Sequence, residues 1–171
     1  MSRPAPVPDG YTTVTPWMIV RGADRFLEFL KEVLGAEELG RVYDERGAIG
    51  HAEARIGTAI VMLFDSGEGW PATPQFLRLY VEDAEAVVER ALAAGSRLVT
   101  QVTPLPFGDQ VGRFVDPWGN TWWVQERLEV VSPEEIGQRM ADPRYAEAMR
   151  YLQETLGEEM RQRGPEGQTS R

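Results

Sequence analysis

The sequence predicts an α+β protein made of two paired βαβββ modules that form a curved mixed sheet with a concave groove, followed by C-terminal helices. Three observations predict it. One order of elements, strand, helix and three strands, occurs twice along the chain. Landmarks in the two copies align, Val20 with Val81, Gly35 with Gly95 and Gly57 with Gly119, and coincidence aligns one glycine far more readily than three landmarks. After the second copy the pattern changes to capped helices.

Residues 1–10 carry Pro4, Pro6 and Pro8 and end in Asp9-Gly10, which predicts an N-terminal arm. The first module spans 11–65. Its first strand, 11–20, is rich in Thr, Val, Trp and Ile, and from Asp24 the apolar residues Phe26, Leu27, Leu30, Val33 and Leu34 recur at helical spacing until Gly35 stops the helix. Strands follow at 38–43, 50–56 and 59–64, separated by turns at Arg46-Gly47 and Gly57-Thr58. Residues 66–74 form a linker containing Gly and Pro.

The second module spans 75–129, with a strand at 75–81, a helix at 84–94 capped by Asp83 and stopped by Gly95, and strands at 97–102, 112–115 and 121–127. Its last turn reads Asp116-Pro117-Trp118-Gly119-Asn120. A helical tail occupies 130–163. Ser132-Pro133-Glu134-Glu135 is a capping box with Pro at the first helical position, and Asp142-Pro143 restarts the signal for a longer helix. Tyr145, Met149, Leu152, Leu156 and Met160 make one apolar stripe on that helix, expected to pack on the outside of the chain's own sheet. A dimer contact and a lid over the groove are the alternatives. Residues 164–171 are expected to be a disordered tail.

Composition narrows the function. A chain of 171 residues with 42% apolar content can bury a core, but each module alone is too small to cover both faces of its sheet, so the two must pair. No stretch approaches the roughly 20 apolar residues of a membrane span, and the start lacks the apolar run of a secretion signal, so the expectation is cytoplasmic with no membrane partner. A formal charge of −9 with dispersed acids argues against nucleic acid. With no cysteine and one histidine, His51, disulfides, thiolate catalysis and a His-rich metal cluster are excluded within the chain.

Strand alternation assigns faces. Met18 and Val20 should meet the helix, leaving Thr15, Trp17 and Ile19 on the concave side, while Leu77, Leu79 and Val81 face inward and Phe76, Arg78 and Tyr80 face the groove. Trp122 and Trp123 are adjacent, so one belongs to the core and the other to the groove or a partner.

The paired modules, the Val81-Glu82-Asp83-Ala84 that opens the second helix, and Asp116-Pro-Trp-Gly-Asn-Thr-Trp-Trp before the last strand resemble the vicinal oxygen chelate superfamily of glyoxalases, bleomycin resistance proteins and extradiol dioxygenases. The resemblance covers about 11–129. His51-Ala-Glu-Ala-Arg-Ile-Gly and the Ser-Pro-Glu-Glu tail are similar to its PhnB-like branch. In metal-dependent relatives it implies His, Gln or Glu ligands in the first and last strands of each half. The matching positions here are Thr15, Phe76, Val61 and Trp123, and a one-residue shift brings Pro16, Leu77, Met62 and Trp122 or Val124. These side chains do not chelate hard or borderline cations, so no cofactor is expected.

The leading expectation is a protein that binds a small aromatic or amphipathic molecule without the usual metal site. Trp17, Phe76, Tyr80, Phe107 and Trp123 supply an aromatic wall, Arg78 and Arg113 meet an anionic or carbonyl group, and Gln125 offers a neutral hydrogen bond. Each has a plainer reading: tryptophan packing, an Arg78–Glu53 ion pair, and Asp116 as a turn-former rather than a chemical group. His51 and Glu53 alternate onto one strand face and are the catalytic candidates, His51 as a general base. The alternative is a metal-dependent lyase, isomerase or dioxygenase in which a divalent metal sits at His51 and Glu53, completed by a dimer partner. A third possibility is an interaction module recruiting a protein through the acidic tail. A homodimer is expected from the architecture and the tail stripe.

Overall fold

A computed structural model describes residues 3–164. The chain divides into two compact units, one ending at Gln75 and one beginning at Phe76. The first holds β1 (Trp17–Val20), α1 (Ala23–Leu34), β2 (Glu37–Tyr43), β3 (Ile49–Ile56) and β4 (Ala59–Asp65). Its sheet has the order β1-β4-β3-β2, with β1 parallel to β4 and the other pairs antiparallel. The second unit repeats that plan with β5 (Phe76–Val81), α2 (Ala84–Ala93), β6 (Arg97–Pro104), β7 (Asp109–Val115) and β8 (Thr121–Arg127), in the order β5-β8-β7-β6. It adds α3 (Pro133–Met140) and α4 (Pro143–Gln162).

The landmarks fall at equivalent places. Val20 and Val81 end β1 and β5, Gly35 and Gly95 follow the helices, and Gly57 and Gly119 turn the chain into β4 and β8 with φ of +56° and +90°, where a Cβ would be strained. A further correspondence was not foreseen. Asp65 at the end of β4 accepts hydrogen bonds from the amides of Gly22 and Ala23, and Glu126 in β8 accepts one from Ala84. In each unit an acid from the last strand thus satisfies the helix N-terminus, which matters most for α1 because its capping residue, Gly22, has no side chain.

In the first unit the helix face of the sheet carries Met18, Ala52, Ala54, Val61 and Leu63 against Phe26, Leu27, Leu30 and Val33, all buried. In the second, Phe114, Trp122 and Val124 share a face with Gly112, where an added Cβ would lie 3.1 Å from the Val88 side chain of α2. Trp122 is the core tryptophan of the adjacent pair. Leu77, Leu79 and Val81 alternate with Phe76, Arg78 and Tyr80 as expected, although the inward three are only half-buried.

Several boundaries differ from expectation. β1 begins at Trp17 rather than near Tyr11: Pro16 has no N–H to offer, and the Tyr11 amide turns back to the carbonyl of Pro8. β6 and β7 are longer than their apolar runs, because Gln110 pairs with Pro104 and the Leu105 amide with the carbonyl of Asp109. The tail helices begin where their caps say. The Ser132 hydroxyl accepts from the Glu135 amide and the Asp142 carboxylate from the Arg144 amide. Residues 165–171 of the expected disordered tail lie outside the described residues.

Candidate functional site

Cross-strand register gathers the site of the second unit. Arg78 on β5 lies opposite Trp123 on β8, which lies opposite Arg113 on β7, so the three form a row on the face away from α2. Both guanidiniums lie over the Trp123 indole, their central carbons 4.4 Å and 3.7 Å from its centroid for Arg78 and Arg113 respectively. The ring's negative face attracts both cations.

α4 covers this face. Arg113 Nη1 donates to the Leu152 carbonyl at 2.8 Å and to Thr100 Oγ1 at 3.1 Å, and Thr100 meets Thr155 Oγ1 at 2.8 Å. Glu159 accepts from Arg97 at 2.6 Å and Arg163 at 2.8 Å, while Arg163 also donates to Thr121 on β8. The expectation that the tail stripe packs on the outside of the sheet is therefore corrected. Its middle, Met149, Leu152 and Leu156, packs on the chain's own sheet, but on the face opposite α2, as the lid alternative described, while Met160 is exposed. Charged and hydroxyl anchors on α4 steer it there, and an apolar stripe alone does not encode them.

Between α4 and the sheet lies a cavity of about 340 Å³ whose wall includes Phe107, Val111, Arg113, Trp123, Gln125 and Met149. Arg78 also borders it, as do Leu152 and Leu156 of α4. Five of the sequence-derived candidates, Arg78, Phe107, Arg113, Trp123 and Gln125, thus converge. Phe76 and Tyr80 share the sheet face but do not line the cavity. The α4 side chains were missed as cavity residues, although their stripe was visible.

The cavity is electrostatically unusual. Arg113 is 1% exposed, and burial, with the nearby Arg78 cation second, pulls its guanidinium down to about 10. Its Nε, together with Trp123 Nε1 and the Gln125 side-chain oxygen, is buried without a hydrogen-bond partner. Such groups normally find one. The Gln125 amide nitrogen donates to Asp109.

The first unit gathers Trp17, His51 and Glu53 on its own non-helix face. Glu53 Oε1 meets His51 Nε2 at 2.9 Å and Glu53 Oε2 accepts from the Tyr11 hydroxyl at 2.6 Å. These bonds, Tyr11 first and His51 second, hold the Glu53 carboxyl below its ordinary range. Trp17 is edge-on to both His51 and Phe64. The sequence places Tyr11 at the start of the first strand, which gives no reason to pair it with Glu53; in the structure it precedes β1 and turns toward that carboxylate. The Glu53 carboxylate is therefore committed to Tyr11 and His51 within its own unit, and among the described residues Arg78 has no carboxylate partner within the other.

A divalent metal does not suit the donors at the positions the resemblance implies. Register pairs Trp17 with Met62 where the second unit pairs Arg78 with Trp123. The groove-facing equivalent of Trp123 is therefore Met62, and the alignment to Val61 is corrected: Val61 is buried on the helix face. No described group of three or more His, Asp or Glu residues is arranged to hold a metal ion. Asp116 is confirmed as a turn-former, accepting from the amides of Trp118 and Asn120, the Asn120 side chain and the Trp122 indole.

The family model described as Glyoxalase/Bleomycin resistance protein/Dioxygenase superfamily matches residues 11–124. An uncharacterised protein of Mycobacterium tuberculosis (strain ATCC 25618 / H37Rv) is 32% identical over 139 residues, 75% of this chain and 82% of that one. Among solved structures, TioX from Micromonospora sp. ML1 is 25% identical with a TM-score of 0.58, over 68% of this chain and 99% of that one. The PhnB protein from Bacillus cereus shares the fold at 19% identity and a TM-score of 0.53, over 67% of this chain and 99% of that one. The repeated βαβββ units, their shared landmarks and the span of the family match agree: this chain belongs to the glyoxalase, bleomycin resistance protein and dioxygenase superfamily.

Proposed function

We propose that the protein binds a small aromatic or amphipathic molecule in the cavity between its second sheet and α4, and does so without a metal ion. The observation that carries this reading is the convergence of Trp123, Phe107 and the apolar side chains of α4 on one cavity of about 340 Å³. That volume lies within the roughly 300–1,000 Å³ of small-molecule sites. The apolar wall supplies affinity, and the few polar groups orient the ligand. The family's description spans resistance proteins as well as dioxygenases, so a binding role lies within its range.

Titration of an aromatic library against tryptophan fluorescence tests the reading. Saturable quenching that disappears in Trp123→Leu is the expected result; no response across the library sinks it.

The second reading is a metal-dependent lyase, isomerase or dioxygenase, favoured by the 2.9 Å contact of His51 with Glu53. Metal analysis of protein purified without chelators decides between the two. Homodimerisation is part of the leading proposal, supported by the exposed Trp17 and Val42 of the first unit, and sedimentation equilibrium tests it.

A further inference from the structure

We infer that Arg78, Arg113 and the Trp123 indole N–H form an anion-recognition end of this cavity, and that its ligand is a small aryl carboxylate. The inference rests on the binding reading above and adds the charge and chemical class of the ligand.

Two cations lie over Trp123 from the strands on either side of it, one of them buried, and among the described residues no carboxylate of their unit answers them. Asp109, Glu159 and Glu126 are committed elsewhere: Asp109 to Gln125 and, at 3.9 Å, Arg127; Glu159 to Arg97 and Arg163; Glu126 to the α2 N-terminus and Gln110. A buried charge without a counter-ion is costly. The indole face offsets part of that cost, but a π-face leaves the N–H donors unused. Two such donors, Arg113 Nε and Trp123 Nε1, are buried and unpartnered, and both belong to residues that line the cavity.

A carboxylate fits this arrangement. It offers two acceptor oxygens to planar guanidiniums in the fork geometry that arginine favours over lysine. Apart from Gln125 and Gln153, the rest of the wall, Leu105, Phe107, Val111, Met149, Leu152 and Leu156, is apolar, so the anion must carry an apolar body. The unpartnered Gln125 oxygen then accepts from a donor on that body, such as a ring hydroxyl. A lone inorganic anion would leave the apolar wall unfilled.

Isothermal titration calorimetry with a panel of matched pairs tests this: benzoate against benzamide, salicylate against salicylamide, and naphthalene-1-acetate against naphthalene-1-acetamide. The expected result is that each acid that binds does so about tenfold or more tighter than its amide, the scale of a charge-assisted hydrogen bond. Arg78→Met, at a partly exposed position, should bring that ratio close to one. Equal binding of acid and amide overturns the anion assignment and leaves the aromatic cavity standing. An acid preference unchanged in Arg78→Met overturns it too, placing the anion elsewhere. Failure of every pair to bind overturns both the assignment and the reading beneath it.

Discussion

Arg113 donates to the carbonyl oxygen of Leu152 at 2.8 Å, so a residue that faces the cavity also holds its lid. Buried charges of this kind contribute little net stability, because desolvation cancels much of what the hydrogen bonds return, and apolar replacements of similar volume are often neutral or stabilising. Arg113→Met should therefore leave the melting temperature unchanged or raise it, while abolishing binding of aryl carboxylates. Differential scanning calorimetry and titration on one preparation check this. A fall of more than about 5 °C, roughly 2 kcal/mol for a chain of this size, would make Arg113 a structural residue first.

Glu159 anchors the other end of α4. It is 3% exposed, and burial alone would push its carboxyl up, yet the ion pairs with Arg163 and Arg97 win and hold it below its ordinary range. A depressed carboxylate stabilises the folded state fully above its unfolded value, near 4.5, and loses that contribution as pH falls through the lower folded value. α4 should thus loosen as the pH drops below about 4.5, seen as a change in Trp123 fluorescence. Glu159→Gln should cost about 2 kcal/mol at neutral pH, below the usual cost of breaking a buried pair because Arg97 is half-exposed. It should also remove that part of the acid sensitivity; an unchanged acid profile would argue against the anchor.

The doubling of the fold was legible because each landmark follows from local chemistry. Gly57 and Gly119 stand where the chain needs positive φ, and Asp83, Ser132 and Asp142 cap the helices they precede. The groove face of the second strand pair was also legible, since alternation needs only the register that places Arg78, Trp123 and Arg113 in a row. What no local pattern encoded was pairing at a distance. The Tyr11–Glu53 bond spans 42 residues, and the Arg113–Leu152 contact depends on where α4 docks. Val61 was misassigned by one residue because glycine turns of unequal length shift an alignment while β-bridge register does not.

Asp116 should be the most sensitive turn residue. Only 4% exposed, it accepts four hydrogen bonds, and burial, opposed by those bonds, leaves its carboxyl above the ordinary value. Asp116→Ala removes the shared acceptor of all four donors, including the indole of the core residue Trp122. At about 1–3 kcal/mol for a buried unsatisfied group, the total should be about 3 kcal/mol or more, a drop of about 10 °C in melting temperature. Asp116→Asn keeps one acceptor oxygen and should lose roughly half as much. Thermal denaturation by near-UV circular dichroism separates the two, and equal losses would show that charge rather than hydrogen bonding matters there.

Metal addition discriminates between the two functional readings most sharply. Both Glu53 oxygens are engaged, by Tyr11 and His51, and the neighbours on that face are Trp17, Met62 and Phe64, none of them a ligand for a hard cation. A cation would have to displace the Tyr11 hydroxyl and find its remaining ligands outside this cluster. If the ion bound the folded state alone with a Kd of 10 µM, 1 mM free metal would stabilise it by about 2.7 kcal/mol, or roughly 5–10 °C at this chain length. Zn, Mn, Ni and Fe(II), each at 1 mM, should instead leave the melting temperature within a degree. Tyr11→Phe, which frees Glu53 Oε2, should not create a response. A shift of 5 °C or more in the unsubstituted protein would move the chemistry to His51 and Glu53 and make the chain a metal-dependent member of its superfamily.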